Sequence, residues 1–197
     1  MEHADVPAVA AWFDSVDDLA MFTANTALPP SAASLARSWA PVIDGVEPRT
    51  SWFFVVEDPR GDLVAFAGIE DVNLAHGTAI LPLFVRREAR RSGLGLVTRA
   101  VVLDLVFVGL GLHRVISMHR ADNRASRRMN EACGLRPEGT LHEARRVGQA
   151  RVDVSVYGIL ADEWFDFRAK LAGSLSPALT LRVGDDEDSE WPTSALG

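Results

Sequence analysis

The chain has 197 residues, 48% of them hydrophobic and 24% charged, which is enough apolar material for one core and too much for wholesale disorder. Its formal charge of −7, from 20 basic and 27 acidic side chains, argues against a general nucleic-acid binder, and a single cysteine, Cys133, excludes an intrachain disulfide and a zinc site built on several thiolates. Met1–Pro7 lacks a signal-peptide pattern, and the most apolar stretch, Ala100–Leu112, is too short to span a bilayer and contains Asp104, so a cytoplasmic protein with no membrane partner is expected.

Asp5 ahead of Val6-Pro7 predicts a helix start, with an acidic cap and proline in the first turn. Ala8, Ala11, Trp12, Val16, Leu19, Ala20 and Phe22 then extend an apolar face at helical spacing. A second short helix begins at Ser31 and turns Leu35 and Trp39 inward. Trp52–Glu57 and Leu63–Ile69 read as strands of a hairpin whose tight turn is Asp58-Pro59-Arg60-Gly61. Thr78–Val85 is a third strand, and Pro82 inside it cannot donate to a ladder, so the strand must bulge or lose its partner there.

Leu96–Val108 follows as a helix ended by Gly109 and Gly111, then a strand over Arg114–His119 and a helix over Asn123–Cys133 stopped by Gly134. Leu135–His142 and Arg151–Leu160 are strands joined by a loop containing Gly148, and Ala161–Ala172 is a closing helix with Trp164 and Phe165 toward the core. The order predicts an α/β (α+β) fold, a mixed sheet with helices on its faces. Residues 1–172 form a single domain, and 173–197, with five acids against Arg182, read as an acidic, disordered tail.

The informative element is Arg90-Arg91-Ser92-Gly93-Leu94-Gly95, between a strand and a helix. A helix N-terminus leaves amides unpaired and carries partial positive charge, and glycines at 93 and 95 let that backbone approach an anion. A phosphate or pyrophosphate site follows, although such a turn also serves simply as a turn. It is not a Walker loop, and Thr98 stands where a dinucleotide fingerprint needs its third glycine. Arg86–Arg151 holds fourteen arginines against six acids, whereas Lys170 is the only lysine; a solvated face is the plainer reading of each arginine singly.

Arg90-x-x-Gly93-x-Gly95, Gly111-Leu112-His113-Arg114-Val115, Ala121-Asp122-Asn123-Arg124-Ala125-Ser126, Cys133-Gly134-Leu135-Arg136-Pro137-Glu138-Gly139 and Asp153-Val154-Ser155-Val156-Tyr157-Gly158 with Glu163-Trp164 follow one another in order. Together they resemble the GNAT family of acyl-CoA N-acyltransferases, in its RimJ/RimL-like branch, over about Trp52 to Trp164. The resemblance implies a largely antiparallel sheet with splayed central parallel strands, and acetyl-CoA or another acyl-CoA as co-substrate, with no metal. It implies that amides from Arg91 through Ser92, Gly93, Leu94 and Gly95 to Leu96 hold the CoA pyrophosphate, with Arg90 adding charge. It also implies that the strand ending Leu83-Phe84-Val85 splays from Arg114–His119 and receives the pantetheine arm. Asn123 matches the family asparagine near that arm, and Ser126 the hydroxyl beside the thioester sulfur. A plain helix cap for Asn123 and a solvent-facing serine at 126 remain open.

The expected reaction is direct attack of a primary amine, from a protein N-terminus or a small molecule, on the thioester in a ternary complex. Some members of the branch carry a glutamate nineteen residues after the serine position, but Arg145 stands there and cannot accept a proton. Glu143, two residues earlier on a strand, shares a face with it by spacing; Glu70, Asp71 and His119 are rivals, with water able to relay the proton. Tyr157 reads as a core residue satisfied by Asp153, and Cys133 as a small buried hydrophobe. The family's opening strand is not legible before the first helix, so the sheet has an uncovered edge suited to pairing as a homodimer. The alternatives are a non-catalytic acyl-CoA-binding domain that has lost its base and, against the net charge, a nucleic-acid module.

Overall fold

The computed structural model describes residues 1–13 and 31–174. The expected apolar positions Val16, Leu19, Ala20 and Phe22, and nearly all of the acidic stretch, lie outside the described residues. Among those described, the chain opens with a 3-10 turn, His3–Asp5, and helix α1, Val6–Ala10. Asp5 does not cap α1 through its side chain; its carboxylate accepts from the Glu2 amide at 2.7 Å. Val6, Val9 and Phe13 are buried, while Ala8 and Ala11 are exposed, so the expected face was rotated: larger side chains win the core over alanines at the same period. Helix α2, Ala32–Ile43, is capped by Ser31, whose hydroxyl accepts from the Ser34 amide at 3.1 Å, and it buries Leu35 and Trp39.

The sheet has seven strands. β1 (Trp52–Glu57) and β2 (Leu63–Asn73) form the expected hairpin, with β2 longer than its apolar run. The third predicted strand is two, β3 (Thr78–Ile80) and β4 (Leu83–Val85), broken at Leu81-Pro82. Helix α3 (Leu94–Asp104) ends in a π turn over Leu105–Gly109. After it come β5 (Arg114–Arg120), helix α4 (Arg124–Ala132), a long hairpin of β6 (Arg136–Val147) and β7 (Ala150–Leu160), and helix α5 (Ala161–Ser174). The strands run β1-β2-β3-β5-β7-β6, with β4 on β2; only β3 and β5 pair in parallel.

Two apolar clusters hold helices to the two faces. On one, Val6, Val9, Phe13, Leu35 and Trp39 pack on Phe66 and Phe84, with Trp39 stacked on Phe66 at 5.1 Å between ring centroids. On the other, Ile69, Leu81, Val115, Tyr157 and Ile159 pack with Leu103 of α3 and Trp164 of α5. Trp164 is 0% exposed, but Phe165 is 44% exposed, since adjacent helical residues point about 100° apart and only one of them can face the sheet. The Trp164 indole donates to Asp104 at 2.7 Å, and the Arg168 guanidinium lies 3.0 Å from the same carboxylate oxygen, tying α5 to the end of α3.

Candidate functional site

The site begins where the sheet parts. β3 pairs with β5 as far as Ile80 and Ile116, and β4 then pairs with β2 alone, through Leu83, Phe84 and Val85. Gly68 donates to the Pro82 carbonyl at 3.0 Å and Arg86 to the Val64 carbonyl at 2.9 Å. Strand polar groups alternate in direction, so residues 82, 84 and 86 face β2, while Leu83 and Val85 point into the gap. Arg90 Nε donates to the Val85 carbonyl at 3.0 Å and its guanidinium lies over the Phe84 ring, so this arginine braces the gap's rim as well as charging it. Among the described residues, the Leu83 amide and carbonyl and the Val85 amide are left as an unpaired edge.

The glycine turn closes one end of that gap. Arg91 and Gly93 take positive φ, +68° and +87°, and Gly93 caps α3 without a side chain. Ser92 works within the turn: its hydroxyl donates to the Ala89 carbonyl at 2.8 Å and accepts from the Leu94 amide at 3.3 Å. Leu96 and Val97 donate back to the Gly93 carbonyl, leaving the Gly93 and Gly95 amides without a hydrogen bond among the described residues. A Cβ on Gly95 would stand 3.3 Å from a Val85 methyl carbon and 3.7 Å from the Met129 sulfur, so glycine here lets α3 lie close to both β4 and α4.

These elements enclose a cavity of about 740 Å³. Leu83, Phe84 and Val85 line it from β4, and Arg90, Arg91, Gly93, Gly95 and Leu96 from the turn and α3. Asn123 and Ser126 line it from the start of α4. Of the sequence-predicted cofactor residues, Ser92 and Leu94 alone stay out of the wall, buttressing the turn instead. The Asn123 side chain accepts from the Ser126 amide at 3.1 Å, so it is a helix cap and a wall residue together, and Ser126 is half-buried against the cavity. Sequence reasoning missed Arg124 and Arg128, which also line it; their four-residue spacing on a helix with Asn123 as its cap was the available signal. Among the described residues, four arginines and no carboxylate face this space, a donor set that fits a phosphate-bearing carrier.

None of the candidate bases lines the cavity. Glu70, half-buried, stands opposite Ile80, one residue before the strand break, and its carboxyl is raised above the ordinary range by burial and then by Asp71. Glu143 is exposed with φ +49°. The ladder passes from Leu141↔Val154 to Arg145↔Val152, so β6 bulges there, and the two-residue spacing that set Glu143 and Arg145 on one face does not apply. The Glu143 amide and His142 both bond Asp153, at 2.8 and 3.0 Å, so Asp153 does not serve Tyr157; the Tyr157 hydroxyl donates to Glu131 at 3.2 Å. His119 is buried beside the Tyr157 ring with Nδ1 2.9 Å from the Arg120 carbonyl; burial first, then Arg145, Arg99 and Arg127, hold it below the usual histidine pKa. Asp71 is exposed at φ +51°. Cys133 is fully buried and its thiol is pushed up to about 12, mainly by desolvation. Among the described residues, no group of three or more His, Cys, Asp or Glu is placed to hold a metal ion, and no helix is long and apolar enough to cross a membrane.

A family model described as an acetyltransferase (GNAT) domain matches residues 1–136. Among solved structures, spermidine N-acetyltransferase from Vibrio cholerae in complex with CoA and spermine is similar to this chain at 20% identity and a TM-score of 0.75, over 84% of this chain and 95% of that one. The spermidine/spermine N-acetyltransferase SpeG of the same organism in complex with manganese ions aligns at 20% identity and a TM-score of 0.70, over 84% and 92%. At these identities the likeness is one of fold: a mixed, largely antiparallel sheet with helices on both faces.

Proposed function

The chain belongs to the GNAT acetyltransferase family, and on that premise we propose how its residues carry out the reaction. It is an acyl-CoA-dependent N-acetyltransferase acting on an amine. The observation that carries the detailed reading is the parted strand edge meeting the glycine turn at one arginine-lined cavity. The amides of Gly93 and Gly95, with Arg91, Arg124 and Arg128, hold the phosphates; the turned-out groups of Leu83 and Val85 pair with the pantetheine amides as an added strand.

The amine nitrogen then attacks the thioester carbonyl carbon, and the carbon–sulfur bond breaks. Backbone N–H at the gap polarises the carbonyl, with Leu83 the first free donor after the break. The Ser126 hydroxyl hydrogen-bonds the departing sulfur, whose thiol pKa of about 8.5 makes it a tolerable leaving group. An alkyl amine with a pKa of about 10 arrives protonated and must lose that proton. Glu70 is assigned that role, through water, since burial raises its carboxyl and it lies across from the break; Glu143 is exposed on the bulged stretch of β6.

We also place the chain in the RimJ/RimL-like branch, as a cytoplasmic enzyme whose domain spans 1–172 ahead of an acidic tail. A homodimer is proposed on the ground that, among the described residues, β1 has a strand partner on one side only. The test is incubation with a panel of acyl-CoAs and amines, reading free thiol. Release with acetyl-CoA and a primary amine above the hydrolysis background is expected; no release with any pair would overturn the assignment.

A further inference from the structure

Arg99, on the inner side of α3, is 3% exposed and has no carboxylate partner among the described residues. Burial lowers its pKa to about 10, which still leaves it charged at neutral pH. Its two interacting neighbours bring no counter-charge, for the Cys133 thiol is pushed up to about 12 and His119 is held toward its neutral form. An unpaired cation in a core opposes folding, so its presence there calls for a role. Among the described residues its hydrogen bond is a short one, Nη1 donating to the Leu81 carbonyl at 2.6 Å.

That carbonyl is the point where the parallel ladder stops. Arg114 donates to the Gly77 carbonyl at 2.9 Å, and a parallel ladder repeats such a bond every two residues. The next steps are Ile116 to Ala79 and Met118 to Leu81. Pairing holds through Ile80↔Ile116 and then ends. Pro82 does not account for this side of the break, because residue 82 faces β2, where its carbonyl accepts from Gly68. On the β5 side the acceptor that Met118 needs is the one Arg99 holds.

We propose that Arg99 is a positioning residue: by drawing the Leu81 carbonyl toward α3 it keeps β4 parted from β5 and leaves the Met118 amide facing the acyl-CoA arm. This rests on the reading of the gap as the acyl-CoA site. The test is amide exchange by NMR in the free protein, with CoA affinity by calorimetry, on the wild type, R99M and R99K. In the free wild type the Met118 amide should exchange at least about a hundredfold faster than that of Ile116. R99M should slow Met118 exchange as the strands zip and weaken CoA binding about tenfold, while R99K, which keeps a charged donor, restores the affinity to within about threefold. Equal protection of Met118 and Ile116 in the wild type, or an R99M affinity within about twofold of the wild type, would overturn the proposal. If R99M does not fold, the wild-type exchange ratio still decides. If the wild type itself binds no CoA, the reading of the cavity fails, while the exchange change from wild type to R99M still tells whether Arg99 parts the strands.

Discussion

The two sides of the parted sheet are made of different material. The side proposed to take the carrier is largely main chain, edged by arginines: the turned-out edge of Leu83 and Val85, and the amides at Gly93 and Gly95 that have no hydrogen bond among the described residues. The side proposed to take the amine's proton depends on a single side chain, Glu70 on β2, which lies outside the cavity wall and is assigned to act through water, with Glu143 on a bulged β6 as its rival. Main-chain recognition needs a backbone shape, and such shapes are written in consecutive residues. A base needs one carboxylate in one environment, which no short string of residues specifies.

Gly93→Asp puts a side chain at φ +87° and a negative charge against the phosphate site, and should abolish acyl-CoA binding by calorimetry; retained affinity would refute the turn's role. Glu70→Gln should lower kcat/KM about a hundredfold with acyl-CoA affinity unchanged, whereas Glu143→Gln stays near wild type; the reverse order would move the base to β6. Ser126→Ala should reduce kcat about tenfold and leave the carrier's Kd alone, since one hydrogen bond to the leaving sulfur is lost. Deleting Leu175–Gly197 should change neither Tm nor rate.

Glu70 also carries a pH dependence. Its carboxyl is raised, so it becomes a base only above the ordinary carboxylate range, and the rate should climb with pH through that value and lose this limb in Glu70→Gln. The same shift means that the folded protein binds the proton more tightly than the unfolded chain, so stability falls as pH rises through the folded pKa. Glu70→Gln should therefore melt above wild type at neutral pH and match it below the ordinary carboxylate pKa of 4.5, as a thermal scan at both pH values would show. A carrier-side variant such as Ser126→Ala should show no such pH-dependent gain.

Much of the scaffold was legible because local signals decided it: the turn at Asp58–Gly61, the cap at Ser31, and the interruption at Pro82 all correspond to observed features. What failed was whatever depended on distant partners. α1 turned Val6 and Val9 inward instead of its alanines because Phe66 and Phe84 across the sheet select volume. Phe165 lost its inward place to Trp164. Glu143 was misplaced by a bulge whose existence only the β7 register reveals. In the proposed carrier site, the glycine turn and Asn123–Ser126, singled out by the family resemblance, line one cavity, whereas Arg99 looked like one more arginine in a basic stretch, because nothing near it in sequence says that it ends in the core on a strand's carbonyl.

The tie between α5 and α3 bears on synthesis. Asp104 has its indole and guanidinium partners at Trp164 and Arg168, sixty and more residues downstream, and β5 has its antiparallel neighbour only in β7. A nascent chain that has released everything through α4 would hold the whole carrier loop yet carry a buried carboxylate without its donors and a central strand with one open flank. Maturation on the ribosome should therefore come late and all at once, and a stalled chain ending before Trp164 should be readily cut by protease where the finished one resists.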